Sequence, residues 1–333
     1  MKTVFMSNQK DRFHNVFKPD VIDYLVKIAG SDGKCYSRDE VIQNKDKFTD
    51  TEFIFSTWGM ANFSEEEIAE IFPALKCVFY AAGSVQYFAR PFLNSGVKVF
   101  SAWAANAVPV AEYTVSQIIL ANSGFFKCSV INSREDYKKA KEEFKKYRGN
   151  YGAEIGLLGA GMIGKLVINM LKAYELKVLV FDPFLPDDKA SELGVEKTSL
   201  KEIFSRCEVV SNHLANNEQT RHILNRELFE SMKPYATFLN TGRGAQVVEQ
   251  DLISVLKKRP DLTAILDVTD PEPPLDDSEL YLLPNCILTP HIAGSSGDEV
   301  QRMAKYMLEE FKSYTQNLPT KYEVTLKMLE TMA

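Results

Sequence analysis

The segment Glu154-Ile-Gly-Leu-Leu-Gly159-Ala-Gly161-Met-Ile-Gly164-Lys restricts the possible folds more than any other stretch of the chain. An apolar run that reads as a strand passes directly into three glycines spaced G-x-G-x-x-G, and an apolar helical pattern, Leu166–Leu171, follows. Gly159 permits a tight turn, Gly161 lets a bound group approach the main chain, and Gly164 allows a helix to pack closely on a strand. The first amides of that helix are left free, and such a terminus binds anions. The next strand candidate ends Val180-Phe181-Asp182, about twenty residues on, where a carboxylate accepts hydrogen bonds from a ribose. Together these features predict a dinucleotide-binding strand–helix–strand unit. A carboxylate at Asp182 repels a 2′-phosphate, and Pro183-Phe184-Leu185 offers no arginine to attract one, so the expected cofactor is NAD.

The alternation continues on both sides. Strand candidates at Glu154–Leu158, Lys177–Phe181, Glu208–His213, Thr237–Asn240, Ala264–Asp267 and Cys286–Thr289 predict a doubly wound sheet. Earlier, Lys2–Met6, Glu52–Ser56, Cys77–Ala81 and Val97–Ser101 alternate with helical patterns near Val21–Ile28 and Glu65–Phe72, which predicts a smaller parallel sheet. A long apolar helix is expected from Ala107 to about Asn122, and Ser133–Arg148 has the composition of a solvated helix face. An amphipathic helix over Gly297–Asn317 is placed to return to the first lobe. At 333 residues, two domains are the natural expectation. We read an α/β chain with residues 1–105 plus 296–333 in one lobe, 106–295 in the other, and chemistry in the cleft.

Composition excludes several classes. The chain is 45% hydrophobic and 25% charged, which suits a globular protein, and its net charge of −6 carries no basic run of the kind nucleic-acid binding needs. The five cysteines are scattered and form no C-x-x-C pair, so we expect buried thiols and no metal site. The opening MKTVFMSNQK lacks an apolar core, and no run of eighteen apolar residues occurs, so neither export nor membrane insertion is expected, and residence is expected to be cytoplasmic.

Three late motifs sit at predicted carboxyl ends of strands, the edge at which open α/β sheets bind ligands. Asn240-Thr241-Gly242-Arg243-Gly244 sets an arginine between glycines, where small neighbours let the guanidinium project. Asp267-Val-Thr-Asp270-Pro-Glu272-Pro-Pro274 is a proline-stiffened loop carrying acids. Thr289-Pro290-His291-Ile-Ala-Gly294 holds one of only four histidines. Taken singly, Arg243 reads as a surface ion-pair partner, the acidic loop as a solvated turn, and His291 as a structural residue. Jointly they supply what reduction of a 2-keto acid requires: a cation for the carboxylate and carbonyl, and an acid for the developing alkoxide.

These motifs, with Val110-Ala111-Glu112 and Thr220-Arg221-His222, resemble the D-isomer-specific 2-hydroxyacid dehydrogenase family over roughly Cys77 to Gly294. The resemblance implies two Rossmann-like lobes, a doubly wound NAD-binding domain inserted in a smaller flavodoxin-like substrate domain. It implies hydride transfer between NAD(H) and C2 of a small 2-hydroxy or 2-keto acid, with Arg243 binding the substrate, His291 as general acid/base and Glu272 hydrogen-bonded to the imidazole. Asp270 is the competing acid. A carboxylate beside His291 favours the imidazolium and fixes the ring's tautomer. By the same resemblance Gly159, Gly161, Met162, Ile163, Gly164, Asp182, His213, Leu214, Ala215, Thr220, Thr241, Gly242 and Val110 hold the cofactor, and Asp267 contacts its nicotinamide end. Ala82, Gly83 and Ser84 offer backbone amides to a substrate carboxylate; Trp58 and Trp103 form an apolar wall or belong to the core. A homodimer through the long helix is also implied. The chain departs from the family at His213-Leu-Ala-Asn-Asn217, within Leu120–Gly124, and around Ala81–Phe88, which leaves the substrate open. The alternative is an NAD(H)-sensing binding protein of the corepressor type on the same fold.

Overall fold

The computed structural model describes residues 1–330. Its longer strands are short apolar runs, most of them buried along their whole length, as expected of parallel strands covered by helices on both faces. The chain divides into two compact units: Met1–Asn106 with the chain from Ser295 on, and Ala107–Gly294.

In the first unit, β1 (Thr3–Met6), β2 (Cys35–Tyr36), β3 (Phe53–Ser56), β4 (Cys77–Tyr80) and β5 (Lys98–Ser101) run parallel in the order β2-β1-β3-β4-β5. The final strand, Glu323–Val324, adds antiparallel beside β5. This is the flavodoxin-like order. The core is aromatic: Phe79 stacks on Phe55 and Phe100 at 5.0 and 4.9 Å. Phe311, from helix Val300–Thr315, meets Phe53, Phe55 and Phe79 at 5.3, 5.5 and 5.6 Å, so the amphipathic tail helix covers this sheet. Buried Glu310 accepts hydrogen bonds from the amides of Lys321 and Tyr322, which secures the turn into the last strand.

The second unit holds β6 (Glu154–Leu158), β7 (Lys177–Phe181), β8 (Glu196–Lys197), β9 (Val209–Asn212), β10 (Thr237–Asn240), β11 (Thr263–Leu266) and β12 (Cys286–Leu288). All are parallel, in the order β12-β11-β10-β9-β6-β7-β8. The order reverses between β6 and β9, and in open sheets the carboxyl ends at such a point form the ligand crevice. Ile155, Leu157, Val180 and Leu239 pack on one face with Val167, Ile168 and Leu171; Leu158, Val210 and Phe238 pack on the other with Phe204 and Phe229.

All the longer strands foreseen from sequence are present. The two-residue strands β2, β8 and Glu323–Val324 are not in that reading, because a run so short carries no periodicity; β8 is moreover charged and exposed. The long helix spans Trp103–Asn122 and carries Pro109 in its interior. A start at Ala107 would have set the proline in the first turn, where its missing amide costs least. Packing overrides that preference, since Trp103 meets Tyr322 edge-on at 5.6 Å and Ala104 and Ala105 are buried. Among the described residues no helix is long and apolar enough to cross a membrane.

Candidate active site

At the switch point the glycine turn is held by sterics. Gly159 has φ +95°, and a Cβ there would lie 2.7 Å from the His213 carbonyl oxygen; a Cβ on Gly164 would lie 2.2 Å from the Gly159 carbonyl oxygen. Gly161, the N-cap of helix Met162–Leu171, faces open space. No side chain caps this helix, and among the described residues the amides of Gly161 and Met162 have no acceptor. The concavity therefore presents donors and the positive end of a helix to an anion. Asp182 follows β7 and accepts hydrogen bonds from the amides of Ala160 and Phe184 at 2.8 and 2.9 Å, which sets its carboxylate against the glycine turn. An open cradle with free amides and an adjacent carboxylate fits a dinucleotide.

The loop after β9 forms the neighbouring wall. His213 bonds Ser211 Oγ through Nε2 at 2.9 Å and approaches Thr241 Oγ1 through Nδ1 at 3.5 Å. Burial pushes its pKa down from 6.5 to about 4, so the ring is neutral near pH 7. Thr220 closes the loop by donating to the Ala215 carbonyl at 2.6 Å. Thr241 also meets Thr114 of the long helix at 3.4 Å, and Val110 lies buried one turn earlier on that helix. Met162, by contrast, is exposed and Ile163 packs partly into the core.

Three of the proposed chemical groups gather at the tips of β10, β11 and β12. His291 Nδ1 lies 2.7 Å from Glu272 Oε1, with the two side chains 49% and 42% exposed, so the pair is formed and reachable from solvent. Arg243 is partly buried; burial lowers its pKa and the charge of Glu272 opposes that shift. Its guanidinium makes one hydrogen bond among the described residues, to the Gly242 carbonyl at 2.8 Å, which leaves a planar set of donors unused. The loops are pressed together: a Cβ on Gly244 would lie 2.0 Å from the Thr269 carbonyl carbon. Among the described residues the carboxylate hydrogen-bonded to the imidazole is that of Glu272, not that of the rival acid Asp270.

Asp267 is 2% exposed and its carboxylate accepts from Thr289 Oγ1 at 2.6 Å and from the amides of Ile292 and Ala293 at 2.8 and 3.0 Å. Three of about four acceptor positions on that carboxylate are thereby used within the protein, and the Asp267 side chain serves as the anchor of the His291 loop. In the first unit, Ser101 Oγ takes the carbonyls of Ala82 and Gly83 at 2.9 and 2.7 Å, while the amides of Ala82, Gly83 and Ser84 find no acceptor among the described residues. The loop thus turns its carbonyls inward and leaves its donors free. Trp103 packs on Tyr322 within this unit's core, and Trp58 lies partly exposed just beyond β3.

One set of residues was not read from the sequence. Buried Asn212, Asn240 and Gln246 form a side-chain amide network beneath the site: Asn212 Nδ2 donates to Asn240 Oδ1 at 3.0 Å and Gln246 Oε1 at 2.6 Å. Gln246 Nε2 donates to the carbonyls of Leu214 and Ala215 at 3.0 and 2.9 Å, and Asn240 Oδ1 accepts from the Gly242 amide at 3.0 Å. The network joins the loop after β9 to the turn carrying Arg243. The available signal was an asparagine closing each of two adjacent buried strands.

The model for the NAD-binding domain of D-isomer specific 2-hydroxyacid dehydrogenases matches residues 126–293. A hydroxypyruvate reductase of Thermotoga maritima is 31% identical over 65% of this chain and 70% of its own length. A D-3-phosphoglycerate dehydrogenase of Methanocaldococcus jannaschii is 32% identical over 65% of this chain, which spans only 41% of that relative. In fold, the D-mandelate dehydrogenase of Rhodotorula graminis superposes with a TM-score of 0.80 at 19% identity, covering 97% of both chains. With the glycine cradle, the acid after β7 and the arginine, glutamate and histidine tips already in place, the chain belongs to the D-isomer specific 2-hydroxyacid dehydrogenase family of NAD-dependent oxidoreductases.

Proposed function

We propose that the protein interconverts a small 2-keto acid and the D-2-hydroxy acid at C2, with NAD(H) as cofactor and Arg243, Glu272 and His291 as the chemical groups. The observation that carries this reading is the 2.7 Å Glu272–His291 pair on a loop adjoining an arginine with unused donors. When bound, the dinucleotide supplies or accepts the hydride. Arg243 offers parallel N–H groups that hold the substrate carboxylate and polarise the C2 carbonyl, and its partial burial strengthens that pull by lowering the local dielectric. Glu272 engages Nδ1 of His291, so Nε2 faces the substrate oxygen and delivers a proton in reduction or takes it in oxidation. Gly83 and Ser84 in the first unit are proposed as further carboxylate donors.

The test is NADH oxidation with glyoxylate, hydroxypyruvate, pyruvate and bulkier keto acids, in the wild type and in His291→Ala. Turnover reduced about 10²- to 10⁴-fold in the variant is expected for loss of a general acid. Equal turnover removes His291 from the mechanism, and no turnover with any acid favours the NAD(H)-sensing alternative. We also propose a homodimer through the long helix and its neighbours. The exposed Phe125, Val130, Ile131 and Phe144 that follow it support this, and sedimentation equilibrium tests it.

A further inference from the structure

A second feature of the first unit surrounds Trp58 with groups not assigned above. Helix Lys10–Val16 follows β1 and presents Arg12 and Asn15, three residues apart, on one face. The turn after β3 carries Trp58. These two strand tips are tied: Ser7 Oγ donates to the Trp58 carbonyl at 2.8 Å, and the Asn8 amide donates to the Gly59 carbonyl at 2.7 Å. Arg12 is thereby set over the Trp58 ring, 6.0 Å from its centroid. Together with Lys18, Ser295, Gly297, Asp298 and Val300 these residues line an open pocket of about 570 Å³, with Arg12 and Asn15 exposed at its mouth.

The polar groups of this pocket are poorly satisfied from within. Among the described residues, neither the Arg12 guanidinium nor the Lys18 ammonium has an ion pair or hydrogen bond, although Asp298 shares the wall. The Asp298 carboxylate is instead engaged by Gln301 Nε2 at 2.7 Å. The Ser295 hydroxyl is buried without a partner. Two unpaired cations, a free hydroxyl and an indole face suit an anionic group on a short carbon chain. The pocket belongs to the same sheet edge as the Ala82–Ser84 loop, because β3 and β4 are neighbours and Thr57 Oγ1 donates to the Ala81 carbonyl at 2.7 Å.

We propose that this pocket sets substrate choice by taking a second negative group at the far end of the acid, so that the preferred substrates are 2-keto or 2-hydroxy acids bearing a distal carboxylate, sulfonate or phosphate. The proposal rests on the Gly83 and Ser84 amides holding the first carboxylate. Arg12 and Lys18 hold the distal anion, Trp58 covers the intervening carbons, and Ser295 donates the remaining hydrogen bond.

Two measurements separate this proposal from the reaction assigned above. The first is calorimetric binding of D-malate and D-lactate to the wild type, Arg12→Gln and Lys18→Gln, which needs no turnover. D-malate is expected to bind at least about 10-fold more tightly than D-lactate, and each variant is expected to reduce that ratio about 10-fold or more. The second is kcat/KM for NADH oxidation with pyruvate against oxaloacetate, 3-sulfopyruvate and 3-phosphohydroxypyruvate, which ranks the three anions; Arg12→Gln is expected to raise KM for the preferred one with little change in kcat. Equal binding of D-malate and D-lactate, or a ratio unchanged in both variants, overturns the pocket assignment whatever turnover shows. An Arg12-dependent preference for D-malate without NADH oxidation by any acid upholds the pocket and defeats the reaction.

Discussion

The backbone amide of His291 donates to the carbonyl of Asp267 at 3.1 Å, so the proposed proton donor hangs from the tip of β11. His291 sits at φ +55°, a conformation that non-glycine residues adopt at a cost of roughly 1 kcal/mol or more. The three donors gathered by the Asp267 carboxylate hold the loop in that shape. Asp267→Ala is expected to lower stability by about 2–3 kcal/mol, because buried amides lose a charged acceptor, and to lower kcat more than it alters KM. Denaturant unfolding alongside steady-state kinetics checks both. Wild-type kcat in a destabilised variant would show that the loop needs no such anchor.

Glu272 acts through His291 alone in this scheme, so its effect should be one of proton supply. Glu272→Gln is expected to reduce kcat about 10- to 100-fold, since the imidazole loses the carboxylate that orients the ring and fixes its tautomer. NADH affinity, measured by fluorescence, is expected to stay within about twofold, the scatter of a surface change. Wild-type kcat in Glu272→Gln argues that Glu272 has no part in orienting the imidazole.

Two glycines of the cradle should fail in different ways. A Cβ on Gly161 meets nothing within 4 Å, whereas one on Gly164 lies 2.2 Å from a backbone oxygen. Gly161→Ala is therefore expected to fold with near-wild-type Tm and to bind NADH about 10- to 100-fold more weakly, because the added methyl would stand where the pyrophosphate is proposed to bind. Gly164→Ala is expected to lose stability by about 1–3 kcal/mol through overpacking. Melting curves and NADH titration of both variants distinguish these outcomes; a Gly164→Ala protein as stable as the wild type contradicts the steric account.

His213 carries a pH signature. Its folded-state pKa of about 4 lies below the unfolded value of 6.5, so the neutral ring favours the native state fully above pH 6.5. As pH falls towards 4 the unfolded chain gains a proton that the native state refuses, and stability is lost across that window. The loss is of order 2 kcal/mol. His213→Gln is expected to flatten the stability profile between pH 6.5 and 4 relative to the wild type, as followed by urea unfolding. Parallel profiles for the two proteins would place the acid sensitivity elsewhere.

Residues whose placement follows from position along a strand were legible in the sequence. Arg243, Glu272 and His291 stand at the ends of apolar runs, and the parallel order of the sheet carries those ends to one edge. The glycine turn was legible for a similar reason, since its steric demands are local. The Asn212–Asn240–Gln246 network was not, because its members lie far apart along the chain and meet only through the pairing of β9 with β10. The anchoring contacts of Asp267 with the loop that follows β12 were not legible either, since hydrogen-bond partners across 22 to 26 residues leave no periodic trace. The pocket beside Trp58 escaped for the same reason, since Arg12 and Ser295 are brought together by tertiary packing.

The amide of Ser295 donates to Asn106 Oδ1 at 3.0 Å, so the places where the chain leaves the first unit and re-enters it are clipped side by side. An insertion whose entry and exit touch adds almost no closure entropy to its host, which needs only a short bridge in place of 188 residues to complete its own sheet. Such a host is open to exchange: a different nucleotide-binding module could be spliced at the same two points while β1 to β5 and the tail helix keep their pairing.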